Sequence, residues 1–289
     1  MATQPNHIEN PFEYAAEKLA WGVRDFSRFL IPHPERHAGQ AAPVVQKIGI
    51  SDLRDALRKG VDDMGALRDD VLFIGLIYPI VGVVLAAVAF NANLLMMLFP
   101  LASGFAILGP VAATGLYEMS RRREQGEDVS WMDAMRVFGS SAIGSILGVG
   151  VVLMAIFGVW MAVAYQIGVA TLGAETPPTL RVFLENVFRS ATSPALIVGG
   201  VAVGFVFAAL AFAISVVSAP LLLDRDVGLF TAIKTSLKAV QTNFGTMVVW
   251  AAIIAGALVL GSIPALVGLI VVVPILGHAS WHLYRKMVA

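Results

Sequence analysis

Two histidines near the C-terminus have the spacing most suggestive of chemistry in this chain. His278 and His282 lie four residues apart, so on a helix they share one face. Such a pair could bind one metal ion or flank a haem, although two ligands leave a zinc site incomplete. The neighbouring Trp281, Tyr284 and Arg285 are instead typical of a membrane–water interface. We therefore favour interface anchoring with hydrogen bonds between helices, and keep cofactor binding by the two histidines as the alternative.

A second group of charged residues follows two long apolar stretches. Glu118, Arg121 and Arg122 end one stretch, and Asp224 and Arg225 end another. One hypothesis is a functional rim that holds an ion or an anionic lipid headgroup. The alternative, which we favour, is ordinary anchoring with local ion pairs, each worth roughly 0–1 kcal/mol when exposed.

Other kinds of chemistry find little support in the sequence. The chain has no cysteine, which excludes disulfides and cysteine-ligated iron–sulfur clusters. It contains no nucleophile–base pair, glycine-rich phosphate loop or metalloprotease motif. We therefore predict no catalytic residues, no resident metal or cofactor beyond the histidine alternative, and no enzymatic activity. Residues 1–70 are slightly acidic, so we expect no nucleic-acid partner.

The elements that must position these residues are membrane helices. Four stretches, residues 71–117, 137–174, 190–223 and 239–284, contain no Lys, Arg, Asp or Glu. About 20 apolar residues cross a bilayer as a helix, so the first and last stretches are long enough for two crossings each. An all-α bundle of about six transmembrane helices is therefore predicted. The predicted spans are Val71–Phe90, Leu94–Tyr117, Ala142–Tyr165, Ala195–Leu223, Phe244–Leu260 and Pro264–Leu283.

The basic residues predict the orientation of this bundle. Of the 20 Lys and Arg residues, all but Arg181 and Arg189 fall on one side of the predicted membrane. Because basic loops stay in the cytoplasm, both termini are predicted to be cytoplasmic, as in a multi-pass protein of a bacterial inner membrane. The absence of charged carboxylates and amines within the spans argues against an ion-coupled transporter.

The segments outside the spans carry amphipathic patterns. Residues 1–70 are predicted to form a cytoplasmic tail, and residues 71–289 the transmembrane domain. Residues 12–30 and a segment with an N-cap at Ser51 both have apolar residues at helical spacing; in the second these are Leu53, Leu57, Val61 and Met64. We expect the two helices to lie on the membrane or against the bundle, with docking of a partner protein as the alternative. The loops after the second and fourth spans are predicted to form interfacial helices, one capped at Ser130 and one with Leu229, Ile233, Leu237 and Val240 on one face.

Three ordered motifs resemble a known family. They are the segment 274–285 around the two histidines, Pro220–Asp226 with the following Ala232 and Ser236, and Gly115–Glu118 with the following Met-Ser-Arg-Arg. Together they resemble a bacterial membrane-protein family, domain-of-unknown-function family 2189, from about residue 50 to the end. The resemblance implies an integral membrane protein and no particular activity.

The leading functional hypothesis is an accessory or scaffold subunit of a membrane complex, with the bilayer and a membrane protein as partners. A channel or carrier for a small or lipidic substrate, framed by prolines in the first two spans, is the alternative. A haem- or metal-binding redox subunit using His278 and His282 is a third hypothesis.

Overall fold

The structure is a computed structural model that describes residues 43–67, 75–91, 95–173 and 179–289. Within these ranges the chain is helical and contains no strand, which confirms the predicted all-α class. The α-helices are α1 Ile50–Ala66, α2 Ile77–Asn91, α3 Leu98–Ala112, α4 Thr114–Glu124, α5 Trp131–Ala134, α6 Ile143–Leu172, α7 Leu180–Arg189, α8 Gly200–Ser215, α9 Ser218–Asp224, α10 Leu229–Thr242, α11 Phe244–Ser262 and α12 Leu269–Met287. Short 3₁₀ segments cover Leu95–Met97 and Met135–Gly139, and a π-helical turn covers Ala195–Gly199.

Four helical stretches among the described residues are long and apolar enough to cross a membrane. They are Leu95–Glu124, Ile143–Leu172, Ala195–Asp224 and Phe244–Ser262, which coincide with four of the six predicted spans. The other two predicted spans correspond to α2 and α12. The described part of α2 has 15 residues. The second half of α12 contains His278, Ser280, His282, Arg285 and Lys286, and these polar residues lower its mean hydropathy.

Two of the long stretches are interrupted where α3 passes into α4 and where α8 passes into α9. The first interruption lies at Ala113, three residues after Pro110, whose ring cannot accept an undistorted helical turn. The second lies at Val216 and Val217. The backbone N–H of Val217 donates to Ser236 Oγ of α10 at 3.2 Å, and that hydroxyl donates to the carbonyl of Ala213 at 2.7 Å. A side chain from a neighbouring helix thus satisfies backbone groups at the break.

Close packing between α3, α6 and α8 is organised around a buried tryptophan. Trp160 is 1% exposed, and its indole N–H donates to Ser103 Oγ at 2.8 Å. Gly204 lets α8 approach that ring, since a Cβ there would lie 3.1 Å from the Trp160 side chain. Gly104 similarly faces Phe157. Small residues therefore allow these helices to pack closely, as expected within a bilayer.

Helix α1 packs lengthwise against α12 rather than standing free. It begins at Ile50, and Asp52 accepts the N–H of Gly49 at 2.8 Å, so the prediction of a cap at Ser51 is wrong. Gly60 touches α12 so closely that a Cβ would lie 2.7 Å from the backbone carbonyl oxygen of Ile275. The second amphipathic helix is thus present and lies against the bundle. The first amphipathic segment, residues 12–30, lies outside the described residues.

The face that α1 buries agrees only in part with the predicted one. Of the four predicted residues, Leu53 is buried, Leu57 and Met64 are half-buried against the core, and Val61 is 51% exposed. The fully buried positions also include Ala56, Gly60 and Asp63, because α12 approaches so closely at Gly60 that no side chain fits there.

The buried face of α10 likewise agrees only in part with the predicted one. This helix buries Leu229, Ala232, Thr235, Ser236 and Ala239 against the bundle. Of the four predicted face residues, Leu229 is buried and the other three are half-buried. The predicted helix capped at Ser130 is present before α6. The Ser130 N–H donates to Asp133 at 2.9 Å. The helix has only four residues and is followed by a 3₁₀ segment.

The residues before α1 are fixed beside the C-terminus. Val45 pairs with Val288 in an isolated antiparallel bridge, and the Gln46 N–H donates to the carbonyl of Met287 at 2.8 Å. Asn243, at the junction of α10 and α11, accepts the N–H of Ile48 at 2.8 Å and donates to the carbonyl of Gln46 at 2.9 Å. Residues 43–66 therefore form one body with α10, α11 and α12.

Candidate functional site

A buried polar cluster lies where α1, α4 and α12 meet. We call it the Asp63 cluster, and its members are Asp63, Ser120, Arg123, His278 and His282. Asp63 Oδ2 accepts from Ser120 Oγ at 2.6 Å and from His282 Nε2 at 2.9 Å. The Arg123 guanidinium forms an ion pair with Asp63 Oδ1 at 2.5 Å. One carboxylate from α1 thus binds side chains of two other helices.

Asp63 is ionised in this environment. Burial alone would raise its pKa, but the hydrogen bonds from His282 and Ser120 favour the charged form and hold the pKa below its usual value. The charge of Arg123 completes the pairing, so the carboxylate is buried with partners, as a buried charge requires.

The hydrogen bonds also fix the state of His278. The single hydroxyl proton of Ser120 goes to Asp63, so Ser120 Oγ must accept from His278 Nδ1, which lies 2.8 Å away. His278 is fully buried, and its other ring nitrogen has no hydrogen-bond partner. His278 is therefore the Nδ1–H tautomer, with an unpaired acceptor at Nε2.

The cluster contains the residue types of a hydrolase triad but not its arrangement. A nucleophilic serine donates its proton to a histidine base and faces a substrate. Here the Ser120 proton points to a carboxylate, the histidine donates to the serine, and Ser120 is 0% exposed. The geometry is that of a structural network.

The two histidines do share one face of α12, as their spacing predicts. One ring nitrogen of each is occupied, in His278 by Ser120 and in His282 by Asp63. In the part of the chain that the structure describes, no group of three or more His, Asp or Glu side chains is placed to hold a metal ion. The cofactor hypothesis for His278 and His282 therefore gains no further ligand from the described residues.

The first part of the predicted rim forms a compact ion-pair network on α4. Glu118 is 3% exposed and accepts two hydrogen bonds from Arg121, at 2.8 and 2.9 Å. Arg122 binds the same carboxylate at 2.7 Å and also pairs with Glu127 at 2.6 Å. Each of these guanidinium groups already has a carboxylate partner.

The second part of the rim forms a separate network between α4, α9 and α12. Asp224 accepts from Tyr284 Oη at 2.6 Å and from Arg285 at 3.3 Å, and lies 3.6 Å from Arg225 Nε. Arg285 also pairs with Glu124 at 3.3 Å. Arg285 thus joins α4 and α9 through their acidic residues.

Sequence reasoning assigned no role in these networks to Asp63, Ser120, Arg123 and Glu124, and it assigned Tyr284 only to the membrane interface. Asp63 had a recognisable signal, since it continues the uncharged face of Leu53, Ala56 and Gly60 at intervals of three and four. A carboxylate on a buried face needs a cation or several donors, and the histidines of α12 were available as partners. The predicted separation of tail and spans concealed this pairing.

Comparison with known proteins finds a family model that matches the central region. Residues 98–224 match the family model described as "Predicted integral membrane protein (DUF2189)". The predicted resemblance is thereby confirmed for this range, which contains the motif beginning at Gly115 and reaches Asp224. The C-terminal motif with the two histidines lies outside the matched range, and no curated protein or solved structure matches the chain.

The DUF2189 match and the four apolar helices show an integral membrane protein. The matched range supplies Ser120, Arg123, Glu118 and Asp224, while Asp63 and the histidines come from outside it. The networks therefore join the DUF2189 region to the helices that precede and follow it.

Proposed function

We propose that this protein is a non-enzymatic accessory or scaffold subunit of a membrane complex in a bacterial inner membrane. Its end that contains α1 and the C-terminus would serve as a rigid platform for a membrane-protein partner. Six spans with both termini in the cytoplasm are part of this proposal, and the distribution of basic residues supports that orientation.

The observation that carries the proposal is how three carboxylates, two of them buried and one half-buried, are used. Asp63, Glu118 and Asp224 bind cations and hydrogen-bond donors of the protein itself. Hydrogen bonds to a charged group contribute about 1.5–3 kcal/mol each. Those of Asp63 and Asp224 therefore hold neighbouring helices in one arrangement, whereas Glu118 binds arginines of its own helix. Side chains engaged in this way support a fixed surface rather than a reaction.

The outer face of α1 is the surface we propose for the partner. Arg54, Val61 and Asp62 are exposed on a helix whose opposite face is buried against α12. The helix is ordered before a partner arrives, so binding there incurs a small entropic cost. Mixed polar and apolar exposure of this kind is common in non-obligate interfaces.

Native mass spectrometry of the protein, extracted with its neighbours in a mild detergent, tests the proposal. We expect a stoichiometric protein partner that is lost in the double variant Arg54→Glu, Val61→Asp. Lys234→Glu provides the control, because Lys234 is exposed on α10 and also reverses a charge. Recovery of the bare protein from wild-type membranes, or equal partner binding by all three proteins, would contradict the proposed function.

A channel or carrier for a small or lipidic substrate is the second candidate, favoured by the interrupted helices. Two apolar stretches break at Ala113 and at Val216–Val217, and broken helices often line transport sites. At the second break Ser236 occupies the backbone groups that a substrate would otherwise meet. Substrate-dependent flux into proteoliposomes containing the purified chain would favour this candidate over the scaffold.

A further inference from the structure

Two rows of exposed apolar side chains lie on either side of α6 in the chain. The first row, just before α6, consists of Met132, Met135 and Phe138, which are 64%, 55% and 66% exposed. The second row, on α7 just after α6, consists of Leu180, Leu184 and Phe188, which are 40%, 43% and 67% exposed. Neither row belongs to the networks described above.

Helical spacing aligns the first row. Met135 and Phe138 are three residues apart in the 3₁₀ segment, where side chains at that spacing eclipse one another, and Met132 lies three residues earlier in α5. The opposite side of the segment is fixed to the bundle: Asp133 and Val137 are buried, and Ala134 packs closely on Gly115. The row is therefore held in place with its apolar side chains facing outward.

The second row is aligned by α-helical spacing. Its members are four residues apart along α7, which has no buried residue. The charged residues Arg181 and Glu185 pair with each other at 3.1 Å. Just beyond α7, Thr192 Oγ1 donates to the carbonyl of Thr171 at 2.5 Å, which keeps this segment level with the end of α6.

The length of α6 matches the thickness of a lipid bilayer. This helix has 30 residues, so at 1.5 Å per residue it is about 45 Å long. A bilayer measured across both headgroup layers is about 40–45 Å thick. Its own side chains Leu147, Val151 and Met154 are about half exposed, as expected for a helix facing lipid. A row at each end of α6 therefore lies at the depth of a headgroup layer.

We propose that the two rows are anchors that insert into the headgroup layers of opposite leaflets of a phospholipid bilayer. Methionine, leucine and phenylalanine side chains enter the boundary between headgroups and acyl chains, and nearby arginines reach the phosphates. Arg136 beside the first row and Arg181 beside the second pair with Asp133 and Glu185, but at 64% and 87% exposure, unlike the half-buried Arg121 and Arg122, they have further N–H groups free to face phosphates. The anchors fix the depth of the bundle independently of any protein partner.

Spin labelling tests the proposal directly because the chain has no cysteine. Single cysteines replace Met135, Phe138 or Leu184, and nitroxide-labelled proteins are placed in phospholipid nanodiscs. Labels at Glu127 and Asn186 are the controls, since Glu127 is exposed in the loop before α5 and Asn186 is exposed on α7, both outside the rows. All five sites are on the surface, where substitutions rarely impair folding.

We expect the ratio of collisions with oxygen to collisions with a water-soluble nickel chelate to be at least several-fold higher at the row positions than at the controls. Equal ratios would place the rows in water and overturn the proposal. Exclusion of both reagents from the row positions would indicate a protein cover, from a second copy or a partner, and would overturn it as well.

Discussion

Replacing Asp63 by asparagine should weaken the docking of α1 on the bundle. The variant removes the negative charge that binds Arg123 and the charged acceptor for His282 and Ser120. The Arg123 pair is partly solvent-screened, since that side chain is 36% exposed, so it contributes about 1 kcal/mol or less. The hydrogen bonds to the buried carboxylate contribute about 1.5–3 kcal/mol each, of which the amide oxygen retains part.

The net cost of Asp63→Asn is therefore about 3 kcal/mol for the docking of α1. Since 1.4 kcal/mol corresponds to a factor of ten, amide hydrogens of residues 50–66 should lose roughly a hundredfold in protection. Hydrogen–deuterium exchange of the protein in nanodiscs, read by mass spectrometry of peptides from α1, measures this directly.

Asp62→Asn is the matched control. It removes the same charge from the adjacent residue, which is exposed, and should leave protection within about threefold of the wild type. Unchanged protection of α1 in Asp63→Asn, or an equal loss in both variants, would refute the assignment of Asp63 as the residue that fastens α1.

Three further predictions concern the close approach at Gly60, the helix break beside Ser236 and the ionisation of Asp63. Gly60→Val should displace α1, because its Cβ would lie 2.7 Å from the backbone of α12, whereas Gly65→Val, which meets nothing within 4 Å, should not; hydrogen exchange of α1 distinguishes the two, and equal effects would contradict the close approach. Ser236→Ala should lower the free energy of unfolding, followed by thermal unfolding, by about 1–3 kcal/mol, since it leaves the Val217 N–H and the Ala213 carbonyl unpaired. The control Ser262→Ala removes a hydroxyl that bonds only within its own helix, and equally large losses in both would count against the role of Ser236 at the break. Because the pKa of Asp63 is lowered on folding, its contribution to the docking of α1 is present above the unfolded pKa near 4 and is lost as the pH falls through the folded value, so protection of α1 should stay constant from pH 7 to 5 and fall only in stronger acid. A decline already between pH 7 and 6 would point to a histidine instead.

The sequence predicted the apolar helices well because their signal is local. Length and the absence of charge are enough to locate a span, and four predicted spans lie within a few residues of helices in the structure. Helix α6 extends to Leu172, beyond the predicted end at Tyr165, because the apolar composition continues and nothing stops the helix before Gly173. The capping pattern at Ser130 was recognised for the same reason, since its partner Asp133 is three residues away.

The candidate site could not be predicted in the same way because its contacts are distant in sequence. Asp63 lies 219 residues from His282, and Ser120 lies 158 residues from His278. The apolar pattern of α1 favoured the face with Leu57 and Val61, whereas close approach to α12 selects small residues. Only the tertiary arrangement shows that the residues with the spacing of a metal site are bound to a carboxylate and a hydroxyl of the protein.

The arginine-rich motif on α4 illustrates a related point. From sequence, Arg121 and Arg122 were consistent with anion binding or with local ion pairs. The structure pairs both with the nearly buried Glu118, so the local ion pairs are present. Glu118 is three and four residues from its partners, so here helical spacing alone contained the answer.

The proposed platform requires the segment leading into α1 to be fixed beside the C-terminus of α12. The bridge between Val45 and Val288 places these two residues opposite each other in an antiparallel pair, at a separation suited to a disulfide. In a chain without other cysteines, Val45→Cys with Val288→Cys should form a disulfide rapidly in isolated membranes under mild oxidation. The pair at positions 44 and 288 should not, because successive residues of an extended segment point in opposite directions. Failure of the 45–288 pair to cross-link, or equal cross-linking of both pairs, would contradict the platform on which the proposed function rests.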